Sequence, residues 1–555
     1  MSLFRKKKRN VKKTQLLTPS KALEKKGDTP TSISLMVKIK EVKELLGNNE
    51  DLQIKEFKIF GQYPAASVCL SSLINQDVLN QDILKPLMYV PEHLKGKEKP
   101  LNELVHLIVT ETVYHSQAKV AEGKEQLIEL MLRGESVIFI DGIKDSIHID
   151  TRKIEKRSIA QPETEQVILG PREGFIESIS TNIALLRYRL PTPDFQVKTM
   201  KIGRLTKSTV AICYLKGIAN ETVVKEVEKR LSEINIDAIL DVGYLEQFIE
   251  DNPFSPFPQT QSTERPDKTV ANLIEGRVAI LVDGSPFSLL VPVVFNQFYQ
   301  TTEDYSSRFL MGSFVRLARI LALVFSLVFP SLYVSLISFN PELLPTEFAV
   351  AVAGGRAGVP YPAVIEVLII EVSMEILREA NGRLPKQVGG ALSIVGVLVI
   401  GQAAVEAGLS SPITVVVIAL TTIGSFATPT YTAAFALRML RFPIMILAGI
   451  FGLYGVMVGV IFIFNHMLSL KSFGVPYMAP VSPEDSQGMK DVVIRSPLWW
   501  MPKRPEFLRP SNQNRLGLND NKVLEHNKVG NDQREDAANG GSKGDHNYSS
   551  DNDLN

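Results

Sequence analysis

The pattern of apolar and polar positions changes character along the chain. Over residues 31–270 apolar positions switch between helix and strand spacing. Leu35, Ile39, Val42 and Leu46 fall three and four apart, which predicts a helix over 34–46. Short β-rich runs at 55–60, 136–140 and 209–215 predict strands, the second closed by the turn dipeptide Asp141-Gly142. A helix over 220–234 and a further strand over 236–239 follow Gly217. Strand–helix–strand order points to parallel pairing. The expectation is an α/β domain of two subdomains, 31–160 and 161–270, divided near the turn-rich stretch 157–171. The proline-rich polar stretch 253–268 reads as a linker or collar.

Residues 277–470 are a different material. The run 320–337 is apolar and uncharged with one proline, Pro330, and 392–404, 413–437 and 444–464 carry no charge. A membrane-crossing helix needs about 20 apolar residues. Three of these segments meet that requirement by themselves. The stretch 389–409 meets it with Glu406 near the interface, and 362–377 meets it if its glutamates are tolerated. The expectation is an α-helical integral membrane domain over 271–470 with about five to six membrane segments. After it, 471–510 reads as an interfacial or cytoplasmic segment. There Trp499 and Trp500 form either an interface anchor or an ordinary aromatic contact. The polar tail 511–555 reads as disordered. The head, 1–30, is basic but has no apolar stretch behind it, so it is not a signal peptide. It reads as a solvated disordered tail or as a patch attracted to anionic membrane lipid.

The 555 residues are 45% hydrophobic and 22% charged with a net charge of +1, and mean hydropathy is +0.06. These averages resemble a soluble protein only because unlike regions cancel. They exclude a basic nucleic-acid binder and a wholly disordered chain. Two distant cysteines, Cys69 and Cys213, exclude a disulfide-stapled fold and a Cys-rich zinc module. The 7 histidines are scattered, and His93, His106, His115 and His148 lack metal-ligand spacing. No phosphate loop or nucleophile elbow occurs. No enzyme activity, cofactor or metal is expected.

Lysine and arginine favour the cytoplasmic ends of spans. Arg308, Arg316 and Arg319 precede the first apolar run, and Arg378, Arg383 and Lys386 follow the next. Arg438 and Arg441 lie beyond a third, while 340–346 and 408–412 carry no Lys or Arg. This alternation puts the α/β domain in the cytoplasm. Five spans would leave the tail outside, against the positive charge of Lys490, Arg495, Lys503 and Arg504. The stretch 278–298, holding Asp283-Gly284, is a candidate re-entrant or interfacial element that would restore the parity.

The chemistry lies in 362–379, PAVIEVLIIEVSMEILRE, where Glu366, Glu371 and Glu375 interrupt an apolar helix. At 100° per residue, Glu371, Glu375 and Arg378 share one stripe and Glu366 lies off it. A carboxylate in hydrocarbon faces water, a partner charge or a pore. Two readings stand side by side: an ion-attracting stripe lining a pathway, or an intramembrane salt bridge to Arg378 or Arg356. In a closed ring, one glutamate per subunit would favour cations. Glu366, Glu371, Ser373, Glu375 and Arg378 are the pore-lining candidates, and Pro330 and Pro429 the candidates for a helix break or gate.

The stretches GPREGFIE, TNIALLRYRL, TERPDKTVANLIEGRVAILVDGSPF, VPYPAVIEVLIIEVSMEILREA and SIVGVLVIGQAAVEAGLSSP resemble the A subunits of GerA-type spore germination receptors. The resemblance spans about residues 30–500. It implies a two-part cytoplasmic domain, a membrane domain, and action with a permease-like B subunit and a lipoprotein C subunit. It further implies a homo-oligomer, a pentamer, forming a nutrient-gated cation channel in the lipid of the spore inner membrane. A paralogous type, SpoVAF, shares these motifs and acts as an auxiliary channel. A transporter bent at Pro429 and a membrane enzyme using the glutamates are the alternatives from other classes.

Overall fold

The computed structural model describes residues 20, 32–47, 49–90, 100–113, 118–121, 123–153, 161–383 and 401–515. The basic head, the tail beyond 515 and most of the expected 389–409 span lie outside them. The first subdomain is built on strands β1 (Leu52–Ile59), β2 (Tyr63–Leu70), β3 (Lys119–Ala121), β4 (Glu135–Ile140) and β5 (Ser146–Asp150), in the order β1-β2-β4-β5-β3. Helices α1 (Leu35–Leu46) and α2 (Lys124–Leu132) cover one face through Val42, Leu45, Leu127 and Met131. The other face packs Ile138, Ile140 and Ile147 against Ile83, Leu87 and Ile108.

The second subdomain repeats the plan. Strands β6 (Phe195–Ile202), β7 (Ser208–Leu215), β8 (Gln261–Thr263), β9 (Val278–Val282) and β10 (Ser288–Val291) lie in the order β6-β7-β9-β10-β8. Helices α3 (Ile179–Arg189) and α6 (Pro266–Glu275) cover one face, with α4 (Glu221–Glu233) and α5 (Val242–Ile249) on the other. The Asn220 side chain caps α4 by accepting from the Thr222 N–H.

Three expectations change here. Every described strand pairing is antiparallel, not parallel. The apolar runs of β4 and β9 report burial of both sheet faces, which parallel sheets share, while β1-β2, β6-β7 and β9-β10 are hairpins. Residues 236–239 form no strand. The Ile236 and Asp237 carbonyls accept from the Arg204 and Leu205 N–H groups in the β6–β7 turn, which satisfies this backbone without a ladder. The stretch 278–298 is no re-entrant element: β9 and β10 belong to the second sheet, and Asp283-Gly284 lies in their turn, with Gly284 at φ 91°.

A buried ion pair joins the subdomains. Arg187 Nε and Nη2 donate to the two Asp51 carboxylate oxygens, each at 2.6 Å. Asn49 Oδ1 accepts from the Val197 N–H at 2.8 Å beside it.

Beyond the sheets the chain is helical: α7 (Phe309–Phe339), α8 (Thr346–Arg356), α9 (Ala363–Arg383), α10 (Pro412–Ser425) and α11 (Tyr431–Ser469). Among the described residues α7 and α11 are long and apolar enough to cross a membrane, and α10 is apolar but shorter. Pro330 sits inside a continuous α7. Pro429 lies in the connection between α10 and α11, so the charge-free run 413–437 is two elements and not one bent span.

The run 444–464 also conceals a reversal. At Gly452 the backbone takes φ 60° and ψ −141°, outside helical geometry. A Cβ on Gly455 would run into the Leu447 carbonyl, and Gly459 faces Ile444 and Leu447. In a straight helix residues 444 and 459 would lie about 22 Å apart. The helix therefore folds back at Gly452 into two antiparallel arms, 431–451 and 453–469, whose glycine face permits close approach. Phe339, at the end of α7, packs on Gly452. After α11 the chain returns to the second subdomain, where the Arg504 guanidinium donates to the Ile274 carbonyl and the Ser511 N–H to that of Ile218.

Two outcomes follow. Arg187→Ala leaves the Asp51 carboxylate buried without its partner and lowers stability by about 3–5 kcal/mol in a urea titration of the full chain. Gly455→Val wedges the hairpin open and lowers the thermal midpoint in detergent, at a cost of about 1–3 kcal/mol or more, whereas exposed Tyr454→Val leaves it unchanged.

Candidate functional site

Helix α9 carries its charges toward the bundle. Its outward stripe is Ile365, Ile369, Val372 and Ile376, all exposed and all apolar. Glu366 and Glu371 are buried, and Glu375 is half-buried.

Each carboxylate has its own partners. Glu366 is fully buried and accepts from Arg356 Nε at 3.0 Å, the Ser411 N–H at 2.7 Å and the Ser410 hydroxyl at 3.2 Å. Ser411 is the N-cap of α10, so the Glu366 charge sits at a helix N-terminus, where exposed N–H groups favour an anion. The Ser411 and Tyr333 hydroxyls extend the cluster to the Thr414 hydroxyl, at 2.9 and 2.8 Å. Glu371 takes both hydrogen bonds of one Arg441 nitrogen, Nη1, at 2.8 Å each, with both side chains 2% exposed. Glu375 accepts from Arg378 Nη1 at 2.5 Å and lies 3.1 Å from Arg438 Nε. Arg378 also donates to the Ser425 hydroxyl and covers the Phe426 ring.

The arrangement is a ladder of three ion-paired rungs along α9, tying it to α8 and α10 at one end and to the first arm of α11 along its length. Of the two sequence readings, the salt bridge is present in the single chain: the two expected partners, Arg356 and Arg378, pair with Glu366 and Glu375, while Glu371 takes Arg441, which was not among them. Ser373 is half-buried and donates to the Ile369 carbonyl of its own helix, so it joins no rung. Pro330 and Pro429 lie off the ladder. Among the described residues no group of His, Cys, Asp and Glu side chains could hold a metal.

The profile of the family described as Bacillus/Clostridium GerA spore germination protein matches residues 40–507. The chain belongs to the GerA family. It is 42% identical to spore germination protein KA of Bacillus subtilis (strain 168), over 89% of this chain and 90% of that protein. It is 39% identical to the uncharacterized membrane protein YfkQ of the same organism, over 89% of this chain and 95% of the relative. The crystal structure of the N-terminal domain of the A subunit of the Bacillus megaterium spore germinant receptor GerK3 aligns with 48% of this chain at 34% identity, covering 98% of that domain with a TM-score of 0.38.

In this GerA-family chain the arginines that complete the ladder were only partly visible in sequence. Arg441 and Arg438 read as membrane-flanking charges. Their role as partners depends on the antiparallel placement of α11 beside α9, about 70 residues away in sequence. A second charged cluster lies at the base of α7. Arg316 donates to Asp304 at 3.2 Å and to the Asp491 carbonyl and carboxylate at 2.7 Å each. Arg319 also binds the Asp304 carboxylate, at 3.2 Å through each of two nitrogens. The Tyr305 hydroxyl donates to Asp491 at 2.5 Å. Burial raises the Asp491 carboxyl above its ordinary range, and the Arg316 charge opposes that rise. This cluster pins the start of α7 to the end of the α/β domain and to the C-terminal segment. The only sequence signal was a pair of arginines one helical turn apart.

Glu371→Gln strands the buried Arg441 cation and lowers stability by about 3–5 kcal/mol. Thermal unfolding in detergent should show most of that loss restored by the exchange Glu371→Arg with Arg441→Glu, and a smaller loss for Glu371→Gln combined with Arg441→Met.

Proposed function

We propose that this chain is the A subunit of a nutrient-responsive spore germination receptor, and that copies of it assemble as a ring, a pentamer, into a gated cation channel of the spore inner membrane. The observation that carries the reading is the ladder of carboxylates and arginines inside an otherwise apolar bundle. Such groups are costly in hydrocarbon and mark ion pathways or their gates. Family membership sets the biological setting, and the partners are a permease-like B subunit and a lipoprotein C subunit.

In this reading the membrane domain makes six crossings: α7, α9, the stretch leading to residue 407, α10 and the two arms of α11. An even number returns the C-terminal segment to the side of the α/β domain, in agreement with the Asp491–Arg316 contact. Arg308, Arg316, Arg319, Arg378, Arg438 and Arg441 cluster toward that side, which favours the cytoplasm. The paired ladder is the closed state. Opening exchanges the partners of Glu371 and Glu375 and turns their charge, with Ser373 and Arg378, toward the conduit. Glu366 stays as the cap of α10, and the helix ends around Pro429 and the bend-prone site at Pro330 absorb the motion.

The test is cation flux in liposomes holding the chain with its B and C partners, started by adding nutrient. Glu375→Gln should lower cation over anion selectivity, and Ser373→Trp should lower conductance. A reconstituted complex that binds nutrient but passes no ions would sink the channel reading. Flux from this chain with no partner present would move it to the auxiliary type.

A further inference from the structure

The two arms of α11 do not close completely at the end nearest the α/β domain. A cavity of about 330 Å³ remains between them, a size at the lower end of small-molecule sites. Its walls are Leu440, Leu447 and Ile463, its floor is Gly459, Phe257 roofs it and His466 stands at its rim. From His466 to Gly459 it runs about 10 Å along the arm.

The roof comes from the collar at 253–258. Ser255 Oγ and His466 Nε2 are 2.9 Å apart, and the Phe257 ring lies 6.2 Å from that imidazole. Phe257 is buried, yet Phe254, three residues earlier, is 96% exposed. The wall facing outward is shared. Phe462 lines the cavity and is 67% exposed on the outer surface. That surface is mostly apolar along the second arm, through Met457, Ile461, Phe464 and Leu468, with exposed Asn465 interrupting it. The cavity therefore opens laterally onto the face that α11 presents to the bilayer.

We propose that this crevice is a lipid site, which takes one acyl chain of a bilayer phospholipid and holds its polar end at His466 and Ser255. An apolar void that stays dry forfeits the contacts of its lining atoms, and a flexible hydrocarbon chain restores them. The open mouth and the apolar outer face supply that chain from the adjoining membrane. The uncovered Phe254 ring belongs to the same interface, where an aromatic side chain sits favourably at headgroup level. The lipid wedges the arms of the hairpin against the collar, and so links the bilayer to the α/β domain. The proposal rests on the membrane embedding of α11 and not on ion conduction.

The experiment uses the purified full chain in vesicles of phosphatidylethanolamine and phosphatidylglycerol, part of the latter carrying a photoactivatable diazirine on its acyl chain. After irradiation, mass spectrometry maps the labelled residues. The expected result is label on Leu440, Leu447 and Ile463 comparable to that on outward-facing Ile461. Leu447→Trp, which fills the crevice, should reduce label at Leu440 and Ile463 to the level of buried Ala448 and leave Ile461 unchanged. If that variant does not fold, the wild-type pattern decides. Crevice residues no more labelled than Ala448, while Ile461 is labelled, overturn the lipid site. Label that persists in Leu447→Trp also overturns it, as do cross-links between two copies at Phe462, which would make a second chain the occupant. Absence of label from Ile461 as well removes the membrane embedding of α11 itself.

Discussion

A charged side chain inside an apolar bundle has to be neutralised where it stands, and the helical half of this protein is arranged around that requirement. The Glu371–Arg441 pair is the strictest case, since both groups are almost fully enclosed. Neither residue could occupy its place alone. Their pairing fixes the face α9 turns inward, the register of α11 beside it and the distance between the two helices. Glu366 solves the same problem differently, with one arginine and the open N-terminus of α10. Because the charges are consumed inside, α9 is left with an aliphatic outer stripe suited to lipid or to another copy.

The same constraint operates where the sheets meet the helices. Asp304 and Asp491 come from two separate connections and share Arg316, with Arg319 completing the cluster. The C-terminal segment is thereby strapped across the base of α7 before it reaches the second subdomain. Further out, Arg187 and Asp51 pin one subdomain to the other. Buried charge pairs thus stand at each junction of the molecule, while apolar packing fills the units between them. Arginine suits these places because its planar fork offers several directed donors from one charge.

Much of the plan was legible from residue order. The helix over 34–46, the strands near 55–60, 136–140 and 209–215 and the helix over 220–234 match their observed counterparts within a residue or a few. Amphipathic spacing is a local property, so it survives without knowledge of the partner. Pairing direction is not local. Strands β4 and β9 read as continuous apolar runs because both faces of each sheet are covered, and that pattern does not distinguish parallel from antiparallel neighbours. Turns inside apolar runs were equally silent. Gly452 sits in an uncharged stretch that reads as one segment, and only its left-handed backbone reveals the reversal.

For the candidate site, the sequence by itself determined the carboxylates. Three glutamates in an apolar helix can be recognised by composition and periodicity, because hydrocarbon makes each of them costly wherever it points. It also determined family membership, through long specific stretches on either side of that helix. The tertiary structure alone decided which arginine answers each glutamate. Arg441 and Glu371 are far apart in the chain and meet only because α11 runs antiparallel beside α9. An ion pair depends on distance in space, and distance in space between remote residues is set by the packing of the whole bundle.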